Sequence, residues 1–417
     1  MIFYSLIFFL NVSAWQLPIV IIEEIKITGN TSTRDAEILR ITGLRLGQQI
    51  MPEVLDRAKN DLLSASIFES AAVTATKGST SENVKIAIEV KEKLTWFIVP
   101  NLSYSSSGFG GGAAYGESNL FGMAKKILAA GYASSKNRTA ILGYRDPSIA
   151  GSSAILAVDG IFRWDTMIEY DDGNESRRVR VIEYGVTLLP GVQWSQHFST
   201  SIGVFLRKVK QNQLGTPTSS RILDPYSLND GNDISAIAQF NYQDSTSIDG
   251  LFKGFEMGLE SQISDNRFFS DFEYFRQIIR LKYGLVFLND KLSYINQVSG
   301  QFGRTLPYYR ELMVGGDNLR GYKSREFRGD TRYSLNQELM VPLYSFKRAI
   351  TRVAFFWDSS AMYFKDRKFN RDVWRNGVGV GGRLYFKGIA VPLIGYDLGY
   401  GLEQKTLEHY INVGVSF

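Results

Sequence analysis

The residue types that most often carry catalytic chemistry are scarce in this sequence. It contains no cysteine and only two histidines, His197 and His409, so disulfides, thiolate metal sites and cysteine nucleophiles are excluded. His197 stands near Gln193, Trp194 and Ser195, a combination typical of a turn or an interface rather than of a base beside a nucleophile. No lipase or metalloprotease motif is present. We therefore expect a protein that is not an enzyme and that uses no cofactor.

Two glycine-rich segments could be mistaken for phosphate-binding loops. One is Gly377–Gly382, which reads GVGVGG, and the other is Gly108–Gly112, which reads GFGGG. A nucleotide-binding loop needs a strand before it and a helix after it, and neither segment has that context. Glycines on a strand instead allow bending or the close approach of another backbone. We expect Gly377–Gly382 to lie on a strand and Gly108–Gly112 to form a flexible turn.

A third segment, Val314–Tyr322 (VGGDNLRGY), places an arginine before a glycine in a polar stretch. The guanidinium of Arg320 presents a fixed fork of donors that suits a carboxylate and stays charged when enclosed. Gly321 would let the chain turn tightly or approach a wall. Asp317 and Arg325 are further charged groups close in sequence. Residue types alone leave two interpretations open, a surface loop with a solvated arginine and an enclosed ion pair.

The overall charge and composition indicate a β-protein without a nucleic-acid partner. The 417 residues include 47 basic and 42 acidic side chains, a net charge of +5, and no basic block stands out. The 22 tyrosines and 27 phenylalanines suit pleated surfaces, where rings pack well. Tyrosine also suits a membrane interface, because its ring is apolar while its hydroxyl stays in water.

The N-terminus reads as a secretion signal. Residues 1–14 (MIFYSLIFFLNVSA) hold a short apolar run that ends in Val12-Ser13-Ala14, which resembles a signal-peptidase site, although no positive residue precedes the run. We expect residues 1–14 to be a signal peptide. No later apolar stretch reaches roughly 18 residues, the length that a membrane-spanning helix needs, so no such helix is expected.

Residues 20–93 predict a small α/β domain. Ile19–Thr28 reads as a strand, two helical stretches follow with Pro52 near the start of the second, and two further strands cover Ala71–Thr76 and Val84–Val90. The expected order is β-α-α-β-β. In the last strand the apolar residues alternate with Lys85, Ala87 and Glu89; they are Val84, Ile86, Ile88 and Val90.

Residues 94–417 predict a transmembrane antiparallel β-barrel, and the chain is therefore mainly β. Segments of about ten residues alternate apolar with charged or amide side chains, as when Arg276, Arg280 and Lys282 alternate with aromatic and aliphatic residues. One face of a membrane barrel meets lipid and the other a wet lumen, so this alternation is expected. Roughly 320 residues, at about 20 per strand and loop, give about 16 strands, with 14 or 18 as neighbouring even numbers.

The end of the chain predicts the barrel-closing strand. It reads HYINVGVSF, and an aromatic residue at its end would sit at the membrane interface. The apolar residues of one parity are Ile411, Val413, Val415 and Phe417.

Four groups of residues resemble the BamA/TamA superfamily of outer-membrane assembly and translocation proteins, in the expected order and over nearly the whole mature chain. The first group is similar to a POTRA domain, the second to the first barrel strands, the third to a loop motif and the fourth to late strands. In chain order they are Ile25–Asn30, Leu46-Gly47 and Ile67-Phe68; Tyr115–Gly122 and Tyr144–Pro147; Val314–Tyr322; and Phe355–Ser359 and Gly377–Leu384.

The resemblance implies a site inside the barrel. In the family the loop folds back into the lumen and its arginine pairs with an acid on a late strand, which here would join Arg320 to Asp358. Leu319 and Tyr322 are variants of the residues that are commoner in this motif, which otherwise matches through Arg320 and Gly321. The pairing is thus an expectation taken from the family and agrees with guanidinium chemistry.

The resemblance also implies a function. It suggests a factor in the bacterial outer membrane, with its POTRA domain in the periplasm, that inserts β-barrel proteins or moves polypeptides across the membrane. Unfolded outer-membrane or secreted polypeptides would be partners, together with the lipid bilayer and periplasmic chaperones or accessory lipoproteins. Clients could pair with strand edges at Val84–Val90 or Ala71–Thr76, or at a seam between Thr95–Tyr104 and Glu408–Phe417.

Two rival functions remain at this point. A two-partner polypeptide-secretion pore of the same superfamily usually carries two POTRA units and a plug helix, and the sequence shows neither. A passive porin would need neither the POTRA-like unit nor the Arg320 loop.

Overall fold

The computed structural model describes residues 20–65, 67–105, 108–171, 174–217, 228–248, 250–288, 291–364, 373–386 and 394–413. The predicted signal peptide, residues 1–14, lies outside the described residues. The chain divides into two compact units. The first contains the chain up to Thr95 with the short segment Phe121–Ala124, and the second contains Trp96–Leu120 and Lys125–Phe417.

The first unit is a four-stranded sheet covered by two helices. Its elements are β1 (Val20–Thr28), α1 (Asp35–Thr42), β2 (Gln49–Ile50), α2 (Glu53–Ser64), β3 (Phe68–Lys77) and β4 (Asn83–Glu92). The strand order is β2-β1-β4-β3, in which β1 and β4 are parallel and the other neighbours antiparallel. The predicted β-α-α-β-β order is confirmed, with the two-residue strand β2 added between the helices.

Local chemistry explains where the first helix begins and ends. Asp35 and Glu37 lie in the first turn of α1, where the helix dipole favours acids, and Gly43 ends the helix with φ +67°. Just before the helix, the Glu92 carboxylate accepts hydrogen bonds from the Thr31 hydroxyl at 2.7 Å and from backbone N–H groups. Burial alone would raise the pKa of Glu92, but these hydrogen bonds lower it to about 2.

The second unit is a closed barrel of sixteen antiparallel strands in the described part of the chain. Each strand pairs with its neighbours in sequence, and the last pairs with the first, so the predicted number of about 16 is confirmed. The strands are β5 (Trp96–Ser105), β6 (Gly108–Leu120), β7 (Lys125–Ser134), β8 (Asn137–Asp146), β9 (Ala154–Asp171), β10 (Asn174–Gln193), β11 (Phe198–Leu214), β12 (Gly231–Ile248), β13 (Leu251–Ser264), β14 (Tyr274–Phe287), β15 (Leu292–Arg304), β18 (Thr331–Ser345), β19 (Ala349–Tyr363), β20 (Trp374–Phe386), β21 (Ile394–Gly401) and β22 (Thr406–Val413), with β16 (Leu312–Val314) and β17 (Phe327–Gly329) forming a separate hairpin between β15 and β18.

The glycine segments lie on strands. Gly377–Gly382 falls within β20, as expected, whereas Gly108–Gly112 begins β6 and pairs with β5 and β7 instead of forming a turn. The turn expectation was wrong because glycine-rich sequence is compatible with both a turn and a strand that needs close packing. A Cβ at Gly112 would collide with the backbone of Gly131 on β7.

The predicted alternation appears as two faces of the barrel wall. On β14, Phe275, Tyr283 and Leu285 are exposed on the outer face, while Tyr274 and Ile278 of the opposite parity are buried on the inner face. Among the described residues, no helix is long and apolar enough to cross a membrane.

Candidate functional site

A long connection between β15 and β18, residues 305–330, lies inside the barrel and is called the lumen loop here. It contains the hairpin β16–β17 and one 3-10 turn, Tyr308–Arg310. Its apolar residues pack against inward-facing side chains of the wall and form a continuous core. The main members are Leu306, Tyr308, Leu312, Val314, Leu319 and Tyr322 of the loop, with Met167, Val179, Val181 and Val209 of β9, β10 and β11.

Arg320 and Asp358 meet at the tip of this loop. The Arg320 side chain donates from Nε to Asp358 Oδ2 at 2.7 Å and from Nη2 to Asp358 Oδ1 at 2.9 Å. The Arg320 backbone N–H adds a third hydrogen bond to the same carboxylate at 3.1 Å. Asp358 is fully buried on β19 and Arg320 is 7% exposed. The structure therefore brings together the two residues that the family resemblance pairs, in the two-pronged geometry that favours arginine.

Other groups complete the pocket around the guanidinium. Nη1 of Arg320 donates to Glu338 of β18 at 2.9 Å and lies 3.7 Å from a carboxylate oxygen of Asp397 of β21. The guanidinium carbon stands 3.5 Å from the ring centre of Phe356, a cation–π contact. Asn336 of β18 bridges Asp358 to the loop backbone. One loop arginine thus joins three late strands.

The next two loop residues are held by their backbones. Gly321 N–H donates to the Tyr410 hydroxyl at 3.1 Å, which in turn donates to the Tyr322 carbonyl at 2.7 Å. The Thr406 hydroxyl donates to the Gly321 carbonyl at 2.5 Å. The Tyr322 hydroxyl donates to Glu403 and to the Asn376 carbonyl. These bonds extend the attachment of the loop tip to β22, the last strand.

Glycines in the wall make this close approach possible. Gly377 on β20 and Gly399 and Gly401 on β21 face the loop tip, and we call these three residues the glycine seat. A Cβ at any of them would collide with the backbone of Arg320 or Gly321. Gly321 itself has φ +99°, and its own Cβ would collide with the backbone of β21. Close contacts between the loop backbone and the wall backbone therefore position the loop tip.

The other end of the loop is fixed to the early wall. Arg328 donates to Glu169 of β9 at 2.9 Å and to Glu311 of the loop at 2.6 Å. Arg325 pairs with Asp165 of β9 rather than with groups near Arg320. The lumen loop therefore connects β9 on one side of the interior with strands β18–β22 on the other.

The first and last strands meet in a seam. Three residue pairs hold β22 to β5 in the described part of the chain, namely Ile411 with Tyr104, Asn412 with Ser103 and Val413 with Leu102. Of the predicted closing residues, Ile411 and Val413 lie at this seam, while Val415 and Phe417 lie outside the described residues.

A cavity of about 240 Å³ with polar and apolar lining residues lies between the seam and the lumen loop. Asn101, Ser103 and Asn412 line it from the seam, and Asp317 and Arg325 line it from the loop. Backbone of an extended chain needs such donors and acceptors when it leaves water. In the described residues as a whole, no group of three or more His, Cys, Asp or Glu side chains is arranged to hold a metal ion.

The predicted client edge at Val84, Ile86, Ile88 and Val90 is wrong. These residues lie on β4, which is paired on both sides, with β1 and with β3. Ile86, Ile88 and Val90 are buried in the core of the first unit. A strand with both backbone edges paired offers nothing to an added strand. The outermost long strand is β3, which contains the other predicted edge, Ala71–Thr76.

The sequence interpretation missed most partners of the loop tip. Glu338, Asp397, Thr406 and Tyr410 all contact it, yet none belongs to a recognised motif. A signal was present, since each occupies the inward parity of a late strand. Parity identifies a residue as facing the lumen but does not say which lumen group it meets.

Comparisons with known families and structures give consistent results. The family described as the Omp85 superfamily domain matches residues 119–405, and the family described as the surface antigen variable number repeat, a POTRA domain, matches residues 20–93. A comparison with curated protein sequences gave no significant match.

Solved structures share the fold at low sequence identity. The structure of BamA from Haemophilus ducreyi lacking POTRA domains 1–3 aligns with TM-score 0.63 and 15% identity over 95% of this chain and 85% of that one. CdiB from Acinetobacter baumannii aligns with TM-score 0.64 and 12% identity over 95% and 74% of the two chains. CdiB from Escherichia coli aligns with TM-score 0.58 and 11% identity over 97% and 92%.

Proposed function

The chain belongs to the Omp85 superfamily, and from this we propose that it inserts β-barrel proteins into the bacterial outer membrane. Membership in this family implies a barrel in that membrane and a general role in inserting or translocating polypeptides. The finer proposal is that this chain acts as an insertase, with its N-terminal unit in the periplasm and unfolded outer-membrane proteins as its clients.

The seam between β5 and β22 is the observation that carries the proposal. A strand edge inside a membrane leaves N–H and C=O groups without partners, which costs several kcal/mol for each group, roughly. In the described residues, Thr406–Tyr410 of β22 have no registered partner on β5. Such an edge can pair with an incoming strand by β-augmentation. The client would gain its first membrane hydrogen bonds there.

The lumen loop supports this mechanism by fixing one side of the seam. Its tip binds β18–β22 through Arg320, Gly321 and Tyr322, while its other end binds β9. Separation of β5 from β22 would therefore leave the late strands held from inside. The insertion mechanism needs no covalent chemistry, and we propose that the protein is not an enzyme.

The N-terminal unit would deliver clients. β3 has β4 on one side and lies at the end of the sheet order. An extended polypeptide could add a strand there, with backbone hydrogen bonds supplying affinity largely independent of sequence. Periplasmic chaperones or accessory lipoproteins would be further partners of this unit.

A disulfide across the seam tests the insertion mechanism. The chain has no cysteine of its own, so Ser103→Cys with Asn412→Cys, which face each other across the seam, introduces a single bond. Directly opposed residues in antiparallel strands have Cα atoms about 4.5–5.5 Å apart, within disulfide range. We expect oxidised protein in lipid vesicles to lose client insertion and reduced protein to regain it.

A second disulfide, placed away from the seam, controls for the effects of cysteine substitution and oxidation themselves. Ser299→Cys with Ser334→Cys joins opposed residues of β15 and β18, far from the seam in strand order. This variant should insert clients whether oxidised or reduced. Insertion that survives closure of the seam would contradict the mechanism.

Polypeptide translocation is the second candidate, since the fold resembles both BamA and CdiB structures. A translocator would keep moving its substrate with the seam closed, because the path runs through the lumen. A passive porin is less compatible with the lumen loop, whose core fills part of the interior. Steady ion conductance of the oxidised variant would favour either pore function over the insertase.

A further inference from the structure

Four cations form a patch on the outer face of strands β8–β11. They are Arg138, Arg180, Lys208 and Lys210, and we call them the outer cationic patch. On β10 and β11 the alternate residues Val181, Glu183 and Val209 are buried toward the interior. Arg180, Lys208 and Lys210 therefore belong to the opposite, outward parity. Arg138 shares the outward parity of the exposed Leu142 on β8.

The patch begins where the apolar outer surface stops. On β10 the outward residues run from Leu188 through Tyr184 and Ile182 and then change to Arg180. On β11 Leu206 is followed on the same face by Lys208. An outward apolar band of a membrane barrel ends at the headgroup level of the bilayer. The cations thus lie level with lipid headgroups rather than with lipid tails.

Two of the four cations stack on one aromatic ring. The guanidinium carbons of Arg138 and Arg180 lie 5.0 Å and 4.5 Å from the ring centre of Trp164 on β9. Across the strands, Lys208 is opposite Tyr184 and Lys210 is opposite Ile182. Cation–π contacts hold the two arginines in place without neutralising them.

Carboxylates in the described part of the chain do not neutralise the patch. Within the described residues, none of the four cations forms an ion pair, whereas the nearby Arg178 is paired with Glu175. The Nε of Arg180 is buried and makes no hydrogen bond to any described group. Four unneutralised positive charges beside an apolar surface suit an anionic, membrane-embedded ligand.

Chain direction assigns the patch to one leaflet. The N-terminal unit leads into the start of β5, and successive strands alternate in direction. Arg138 stands near the start of β8 and Lys210 near the end of β11, so both lie at the end of the barrel opposite the start of β5. This step rests on the proposed function, because it takes the N-terminal unit to be periplasmic. The patch then faces the outer leaflet.

We propose that the outer cationic patch binds the two phosphates of a lipid A-type glycolipid in the outer leaflet. The four cations lie on β8, β10 and β11, and β8 and β11 are three strand spacings apart, or about 14 Å at roughly 4.8 Å per spacing. This width exceeds a single phosphate and suits a disaccharide headgroup that carries a phosphate at each end. The acyl chains would lie along the apolar outer surface below, near Tyr184 and Leu206.

The test measures lipid binding to the full chain in detergent by native mass spectrometry. The probes are lipid A, monophosphoryl lipid A and phosphatidylglycerol. The variant carries Arg180→Gln, Lys208→Gln and Lys210→Gln. Because each basic group near a membrane surface contributes appreciably, we expect its lipid A affinity to fall about tenfold or more. The matched control carries Lys253→Gln, Lys291→Gln and Lys347→Gln, which remove the same charge elsewhere, and should stay within about twofold of wild type.

The outcomes separate the lipid site from the proposed function. Equal loss of affinity in variant and control would overturn the site. Wild-type protein that binds phosphatidylglycerol or monophosphoryl lipid A as tightly as lipid A would overturn the bisphosphorylated ligand, and this comparison needs no variant. Client polypeptide is absent from the assay, so failure of the insertion test leaves the lipid measurement unaffected.

Discussion

At the scale of single residues, Arg320 does more than pair with Asp358. Its guanidinium also contacts Glu338, Asp397 and Phe356, so one side chain satisfies several enclosed groups at once. Lysine could not reproduce this arrangement, because its ammonium is a point charge without the planar fork. Arg320 therefore links the loop tip to the late strands.

Removal of the Arg320 side chain should lower the free energy of unfolding. Arg320→Ala would leave the fully buried Asp358 without its cation, and breaking a buried pair costs about 3–5 kcal/mol. We expect the barrel of this variant to unfold at lower urea concentration and client insertion to fall. The stability and the insertion activity of Arg320→Lys should lie between those of Arg320→Ala and those of the wild type. The measurement is urea unfolding followed by heat-modifiable gel mobility, with insertion assayed in parallel.

Arg304→Ala serves as the matched control, since Arg304 is exposed at the end of β15. This variant should unfold and insert clients like wild type. If Arg320→Ala were as stable as Arg304→Ala, the ion pair would not be what positions the loop.

Individual residues also show which contacts of the loop tip could be predicted from the sequence. The pairing of Arg320 with Asp358 was accessible because a motif in each segment resembles a known family. Tyr410 and Thr406 were not accessible, because they contact loop backbone atoms. Backbone contacts depend on the path of the chain, which residue types do not encode locally.

At the scale of elements, β3 has an unpaired backbone edge to offer the proposed client, whereas β4 has none. Both strands alternate apolar and polar residues, so periodicity assigned each to a half-buried sheet. Only the crossover that makes β1 and β4 parallel places β4 inside and β3 outside. The alternation of apolar and polar residues shows which face of a strand is buried. It does not show whether the backbone edges of that strand are paired.

Photocrosslinking can locate the client edge. Thr74 on β3, Ala87 on β4 and Lys26 on β1 form one row across the sheet. A strand added beside β3 would lie about 5 Å from β3 and about 15 Å from β1. We expect a photoreactive residue at Thr74 to capture an unfolded outer-membrane protein at least several-fold more than one at Lys26. Both positions are exposed, so accessibility does not distinguish them.

The opposite pattern has a clear meaning. β2 pairs with β1 only at Val20 and Ile21, so Lys26 lies beside the second open edge of the sheet. Equal capture at Thr74 and Lys26 would contradict selective addition of clients to the β3 edge, and the role proposed for β3 would have to be withdrawn.

At the scale of the whole molecule, the architecture was predictable from sequence. Sixteen strands follow from segment length and alternation, and the α/β unit follows from helical spacing and Pro52. The path of the lumen loop was not predictable from periodicity, because the loop has none. Its position came instead from the family motif, and the structure supplies the groups on both walls that hold it.

Depletion of the protein should separate a general insertase from a dedicated factor. For a general insertase we expect a broad fall, about tenfold for many proteins, in folded β-barrels measured by quantitative proteomics of the outer membrane. Restoration by wild-type chain but not by the oxidised seam variant would tie the effect to this barrel. Loss of a single surface or secreted protein would instead indicate a dedicated translocator or accessory factor.

The seam also has a consequence for how the protein itself folds. Its partners stand at the two ends of the barrel sequence, whereas the glycine seat and the loop tip are much nearer to each other along the chain. Contacts distant in sequence carry the larger loop-closure entropy and form late. The seam is therefore expected to be the last contact made during biogenesis. A nascent copy would pass through an open, unsealed ring, and the proposed insertion mechanism would use the same step in reverse.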